Sequence, residues 1–281
     1  MPRTLSAMVR FIFAVSVATL GMVSAAHADR LKDIQTRGYL TCATLSGSQP
    51  LAYQDPDTRQ YVGFDVDTCA AIAKHLGVKL EHKTVTVEAR IPELGLGRVD
   101  LVAAAFGYTN GRAKQIAFTS SHYQVPMRIV VASDSGINRF SDLAGKSIST
   151  DKGSTLELYV HQQIPTAKLV TFQDNASQFL ALQQGKVQGF AIGQASGLRF
   201  VNESGGKFRF LDESLAFEPT CLGVKKDEPE LLAAVNKALE DMQSSGELDA
   251  LWNKWYGPQT KFNMPRGKLI PVSVLEQQVH Y

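Results

Sequence analysis

The chain has 281 residues, 44% of them hydrophobic, with 29 lysines and arginines against 27 aspartates and glutamates. That is enough chain for two modest lobes, and the charge balance excludes the broad basic face that nucleic acid or an anionic membrane would need. Six histidines at no ligand spacing and the absence of any Cys-x-x-Cys pair argue against a metal centre, and no cofactor is expected.

The first 28 residues read as an address. Arg3 and Arg10 precede the apolar run Phe11 to Val23, and Ala26-His27-Ala28 supplies small residues at the positions a signal peptidase reads. The run is short for a membrane span. Cleavage after Ala28 is expected, which places the mature chain from Asp29 outside the cytoplasm. Without Arg3 and Arg10, 27 basic residues face the 27 acidic ones. Three cysteines in an exported chain suggest one disulfide and one leftover thiol.

Strand and helix then alternate. Gly38 to Thr44 reads as a strand, and Asp55-Pro56-Asp57-Thr58 is turn chemistry. A helix follows, with Asp65 as its N-cap and Gly77 as its stop. Val78 to His82 is a second strand, and Ile91 to Gly97 a short helix leading into the strand Val99 to Ala105. Further strands are expected at Met127 to Val131, Lys146 to Thr150, Lys168 to Phe172 and Val187 to Ile192, with a helix from about Ala176 to Gln184. Leu231, Leu232, Val235, Leu239 and Met242 fall at helical spacing, and Trp252 and Trp255 in the next helix read as core. Such alternation implies parallel sheets with ligands at the carboxyl ends of strands.

Two places along this chain suit an anion. After the small residues Ala105 and Gly107, which allow close approach to backbone, comes Arg112, whose planar guanidinium suits bidentate capture of a carboxylate. Ser154 and Thr155 follow a glycine turn and open a helix, whose free N–H groups and dipole favour negative charge. Tyr53 and Phe106 offer an aromatic wall.

An ordered series of short motifs carries a family resemblance: Gly38-Tyr39-Leu40, Gly63-Phe64-Asp65-Val66-Asp67, Arg90-Ile91-Pro92, Gly97-Arg98-Val99-Asp100, Thr109 with Arg112, Phe118-Thr119 with Tyr123, Asp142 to Lys146, Gly153-Ser154-Thr155, Gly185-Lys186-Val187, and Ser245 to Leu248 with Trp252 and Tyr256. Nearly end to end, the mature chain resembles the periplasmic solute-binding proteins that serve ABC transporters for polar amino acids, family 3. The spacing of Cys42 and Cys69 is similar to the general amino-acid branch, and Phe262 to Pro265 to the glutamate/aspartate branch.

That resemblance implies an α/β, two-lobed periplasmic binding protein of type II, each lobe a mainly parallel sheet flanked by helices, with two crossing strands as the hinge. Residues 29–126 and 218–281 would form one lobe and residues 127–217 the other. It further implies a monomer that takes a small amino acid or carboxylate in the periplasm and delivers it to a permease, without catalysis. Arg112 would meet the ligand's carboxylate, with Ala105, Gly107, Ser154, Thr155, Tyr53 and Gly193 around it, and Cys42 would pair with Cys69.

Three positions depart from the family pattern. Gly107 stands where a hydroxyl is usual, Gly193 where an aspartate receives the ligand's ammonium, and Leu45 where the glutamate branch has a basic residue. Asp174, Glu157 and Gln194 are the candidates for a substitute ammonium partner. Two other functions are carried as alternatives: a dehydratase for a cyclic carboxylic acid, with Glu157 or Glu218 as its acid, and a sensing module for a membrane partner.

Overall fold

The computed structural model describes residues 29–279, so the leader read at residues 1–28 lies outside the described residues. The elements run α1 (Arg30–Arg37), β1 (Tyr39–Thr44), β2 (Gly47–Ser48), β3 (Ala52–Gln54), β4 (Tyr61–Val62), α2 (Phe64–His75), β5 (Lys79–Thr84), α3 (Arg90–Gly95), β6 (Leu101–Gly107), α4 (Asn110–Ala113), β7 (Ile116–Phe118) and β8 (Tyr123–Ala132). They continue as β9 (Ser147–Asp151), α5 (Leu156–Gln163), β10 (Lys168–Phe172), α6 (Asn175–Gln183), β11 (Gly189–Gly193), α7 (Gln194–Glu203), β12 (Phe208–Phe210), β13 (Ala216–Lys225), α8 (Pro229–Ser245), α9 (Glu247–Tyr256) and α10 (Val272–Gln278).

The main sheet has the order β10-β9-β11-β8-β13-β6-β1-β5. β1 lies parallel to β5 and β6, and β9 lies parallel to β10 and β11, the pairing expected of strands joined through helices. Between these two parallel groups stand β8 and β13, antiparallel to each other. They are the two crossing strands of a two-lobed α/β protein, and each is ten residues long.

Burial follows the sequence. β6 is apolar along its whole length and almost wholly buried, as a strand covered on both faces should be. Under α2 and α9, Phe64, Tyr123, Trp252 and Tyr256 form an aromatic cluster, each at most 1% exposed. Trp252 is core, its indole N–H donating to the Met264 carbonyl at 2.7 Å, while Trp255 donates to Asp67 at 2.7 Å. Cys42 and Cys69 form a disulfide that ties β1 to α2, and Cys221 is free and buried.

Asp65 is not the N-cap of α2. The helix begins two residues earlier than that cap implies, with Gly63 at its cap in a positive-φ conformation, and the buried Asp65 side chain accepts from the Ala105 amide at 3.4 Å. The C-terminal stretch crosses the first group of strands. Ile270 pairs with Ser121, and Leu275 and Val279 pack with Phe106, Tyr108 and Phe118.

Candidate functional site

A cavity opens where the carboxyl ends of β6, β9 and β11 converge on the crossing strands. Its empty space, about 570 Å³, includes an opening to solvent. One side is contributed by Leu45, Ser48, Leu51, Arg90, Ala105 and Arg112, and the other by Asp151, Ser154, Thr155, Asn175, Ile192, Gly193 and Ser196. Tyr123, Val125, Met127, Glu218 and Thr220 of the crossing strands line it between them.

The bend at the end of β6 is built for this place. Ala105 adopts φ 46°, an uncommon conformation for a residue with a Cβ, and is held from both directions. Asp65 accepts from its N–H, and Arg90 donates to its carbonyl at 2.9 Å and to that of Ala104 at 3.0 Å. Arg90 also donates to the Val87 carbonyl at 2.8 Å and stacks over Phe106 at 4.5 Å. It is 3% exposed; burial, with Arg112 adding to it, pulls its pKa down to about 9.

Arg112 reaches across the cleft. It donates to the Gly107 carbonyl at 2.8 Å and to the Gly153 carbonyl at 2.9 Å. Burial lowers its pKa, and Glu218 opposes that shift. Further bridges across the opening are Lys152 to Glu88 at 2.8 Å and Ser48 to Ser196 at 3.0 Å.

Glu218 leaves β13 and turns inward. It is 2% exposed and accepts hydrogen bonds from the Thr155 hydroxyl and, at 3.0 Å, from the Tyr159 hydroxyl. Burial raises its pKa, against the pull of Thr155 and Arg112. A side chain on Gly107 would meet it directly: an added Cβ would lie 2.1 Å from the Glu218 carboxyl carbon.

Asp151, at the end of β9, accepts from Gln178 at 2.6 Å. Burial pushes its pKa up to about 7, with Arg90 opposing. Between pH 3.8, its unshifted value, and about 7 the folded chain therefore keeps a proton that the unfolded chain has lost. The Asp151 contribution to stability must fall as pH rises through that window and level off above it, by about 4 kcal/mol at most. Asp151→Asn should flatten this fall when urea unfolding is followed from pH 4 to 8. Parallel profiles for the two proteins would refute the assignment.

Of the residues singled out in the sequence, Arg112, Ala105, Ser154, Thr155 and Gly193 line this cavity. Gly107 stands behind the Glu218 carboxylate. Tyr53 lies outside the lining, in β3, edge-on to Trp255 at 6.3 Å. A Cβ on Gly193 would touch Met127 at 3.4 Å, so an apolar thioether occupies the direction a longer side chain would take. None of the three substitute ammonium partners lines the cavity. Asp174 caps α6, Glu157 accepts from the Gly153 amide, and Gln194 accepts from Arg128. Asp151 was missed, although it sits immediately before the glycine turn that drew attention to Ser154. Among the described residues there is no cluster of His, Cys, Asp and Glu able to hold a metal.

Residues 40–258 match the model of the bacterial extracellular solute-binding proteins, family 3. The L-cystine-binding protein TcyJ of Escherichia coli strain K12 is 25% identical over 243 residues, covering 86% of this chain and 91% of its own. A solved ancestral arginine-binding protein bound to arginine superimposes with a TM-score of 0.74 at 33% identity, over 79% of this chain and 99% of its own. An ancestral amino-acid-binding protein described as a precursor of cyclohexadienyl dehydratase gives 0.74 at 30% identity, over 80% and 99%.

Proposed function

The chain belongs to the bacterial extracellular solute-binding proteins of family 3, and from that membership we propose that it captures a small polar solute of amino-acid type and delivers it, unchanged, to the permease of an ABC importer. The observation that carries this reading is the cavity itself, lined from both sides of the crossing strands by Arg90, Arg112, Asp151 and Glu218. Residues 29–126 and 218 onward form one lobe in this proposal, and residues 127–217 the other. Arg112 with Gly153, and Lys152 with Glu88, are contacts between those segments that a hinge opening would break. Capture works as a monomer outside the cytoplasm, with Arg112, Ala105, Ser154, Thr155 and Gly193 against the solute. Relatives named for cystine and for arginine support an amino-acid-type solute.

The test is thermal or urea unfolding of residues 29–281 against amino acids, their amides and their decarboxylated amines. A panel member at about 100 times its dissociation constant should add roughly 2.7 kcal/mol. A folded protein that no member stabilises would remove the proposal.

One observation favours a second reading. A carboxyl group with a raised pKa in a closed cleft, such as Glu218, is what a dehydratase on this scaffold would need as its general acid. Its hydroxyl partners and its position between two arginines favour a binding role instead. Consumption of a prephenate-like acid by the purified protein, lost in Glu218→Gln, would reverse that preference.

A further inference from the structure

We propose that Glu218 is a built-in occupant of the anion subsite beside Arg112, and that this selects solutes presenting no carboxylate there: amines or amides of amino-acid type rather than free α-amino acids. The inference rests on the solute-capture reading and narrows its substrate class.

Three observations converge. The features that would attract a solute carboxylate are Arg112 and the start of α5, and the Glu218 carboxylate already lies among them. It uses the Thr155 and Tyr159 hydroxyls as its own donors. It also fills the space beside Gly107, since an added Cβ there would lie 2.3 and 2.4 Å from its two oxygens. Gly107 and Glu218 are therefore one device: the missing side chain makes the room that the carboxylate takes.

Electrostatics turn this geometry into selectivity. Two carboxylates in one buried site disfavour each other's ionisation, so a solute carboxylate must either push Glu218 towards its protonated form or compete with it for the same arginines. The arginines are partly committed: Arg90 donates to the carbonyls of Val87, Ala104 and Ala105, and Arg112 to those of Gly107 and Gly153, so neither turns its whole fork to a solute. What the rest of the lining offers is acceptors and apolar surface. Asp151 and the Asn175 amide from one side meet Ser48 from the other, with Leu51, Val125, Met127, Leu156 and Ile192 around them. A cationic or amide head on an apolar body fits that set.

The experiment compares matched series by calorimetry and thermal shift: arginine, argininamide and agmatine; histidine, histidinamide and histamine; glutamate and its diamide. Wild type should bind the amide or amine of at least one series at least tenfold more tightly than the free acid. Glu218→Gln keeps the shape and removes the charge, and should erase or invert that preference. Gly107→Ala acts independently. Its Cβ meets only the far end of a flexible side chain, so it should push the carboxylate aside and reduce the preference in the same direction. If a free amino acid binds wild type as tightly as its amide and amine, the inference falls while solute capture stands. If no series binds, both fall.

Discussion

Replacing Arg90 by methionine should lower the unfolding free energy by about 3–5 kcal/mol, the loss expected when one partner of a buried charged network is removed. The guanidinium bridges the carbonyls of Val87, Ala104 and Ala105 at 2.8, 3.0 and 2.9 Å. Methionine fills much of the volume but donates nothing, so these carbonyls lose a charged donor, at about 1–3 kcal/mol for each buried group left unpaired, and most where the Ala104 carbonyl is buried. The bend at Ala105 loses one of its two clamps as well. Arg90→Lys should recover only part of the loss, because an ammonium cannot reproduce the planar fork. Urea midpoints at unchanged m-value measure the effect. A loss below about 1 kcal/mol, within the range of an ordinary surface substitution, would show that the carbonyls find other partners.

Gly63→Ala should be at least as damaging. Gly63 has φ 136° and ψ 172°, a region essentially closed to residues with a side chain. Its added Cβ would lie 2.2 Å from the Leu51 carbonyl oxygen and 2.8 Å from that of Pro50. Those two carbonyls accept from Asp65 and Phe64, the bonds that start α2. The chain cannot relieve the clash without detaching the helix, so a loss of about 4 kcal/mol or more is expected, at the extreme for single substitutions. Gly38→Ala provides the contrast. It also has positive φ, at 80°, but nothing lies within 4 Å of its Cβ, so only the backbone strain of about 1–2 kcal/mol applies. Equal losses at the two glycines would mean that conformation alone, and not the close approach to Leu51, decides the cost.

These positions show which parts of the molecule the sequence discloses. Strand Lys168 to Phe172 is found at the expected residues, and β6 is recognisable from its unbroken apolar run. Local chemistry suffices there. Asp65 misleads because an aspartate before an apolar run ordinarily caps a helix. Here Gly63 starts the helix earlier, which turns the carboxylate inward to the Ala105 amide, 40 residues away. Glu218 enters the sequence reading only as the acid of an alternative function, because nothing near it in sequence shows that it is buried. Its pocket is the space left by Gly107, together with hydroxyls from α5, and only the folded chain brings these together. The same holds for Asp151, whose pKa is raised by burial, with Arg90, far along the chain, opposing. α1, carrying a single buried residue, and α7 were not anticipated from pattern. The fold is written in local periodicity, whereas the charges of the cleft acquire their meaning from partners far along the chain.

The state of the three cysteines has a practical consequence for instrumentation. Cys42 and Cys69 are consumed in their cross-link, and the remaining thiol, Cys221, is 0% exposed with its pKa pushed well upward by burial. A maleimide reacts with an accessible thiolate, so the native chain should be silent towards it. One engineered cysteine on each side of the cleft could then carry a fluorophore pair without removing any natural residue. Such a doubly labelled protein would report the distance between the lobes in real time, turning the receptor into its own optical gauge of solute.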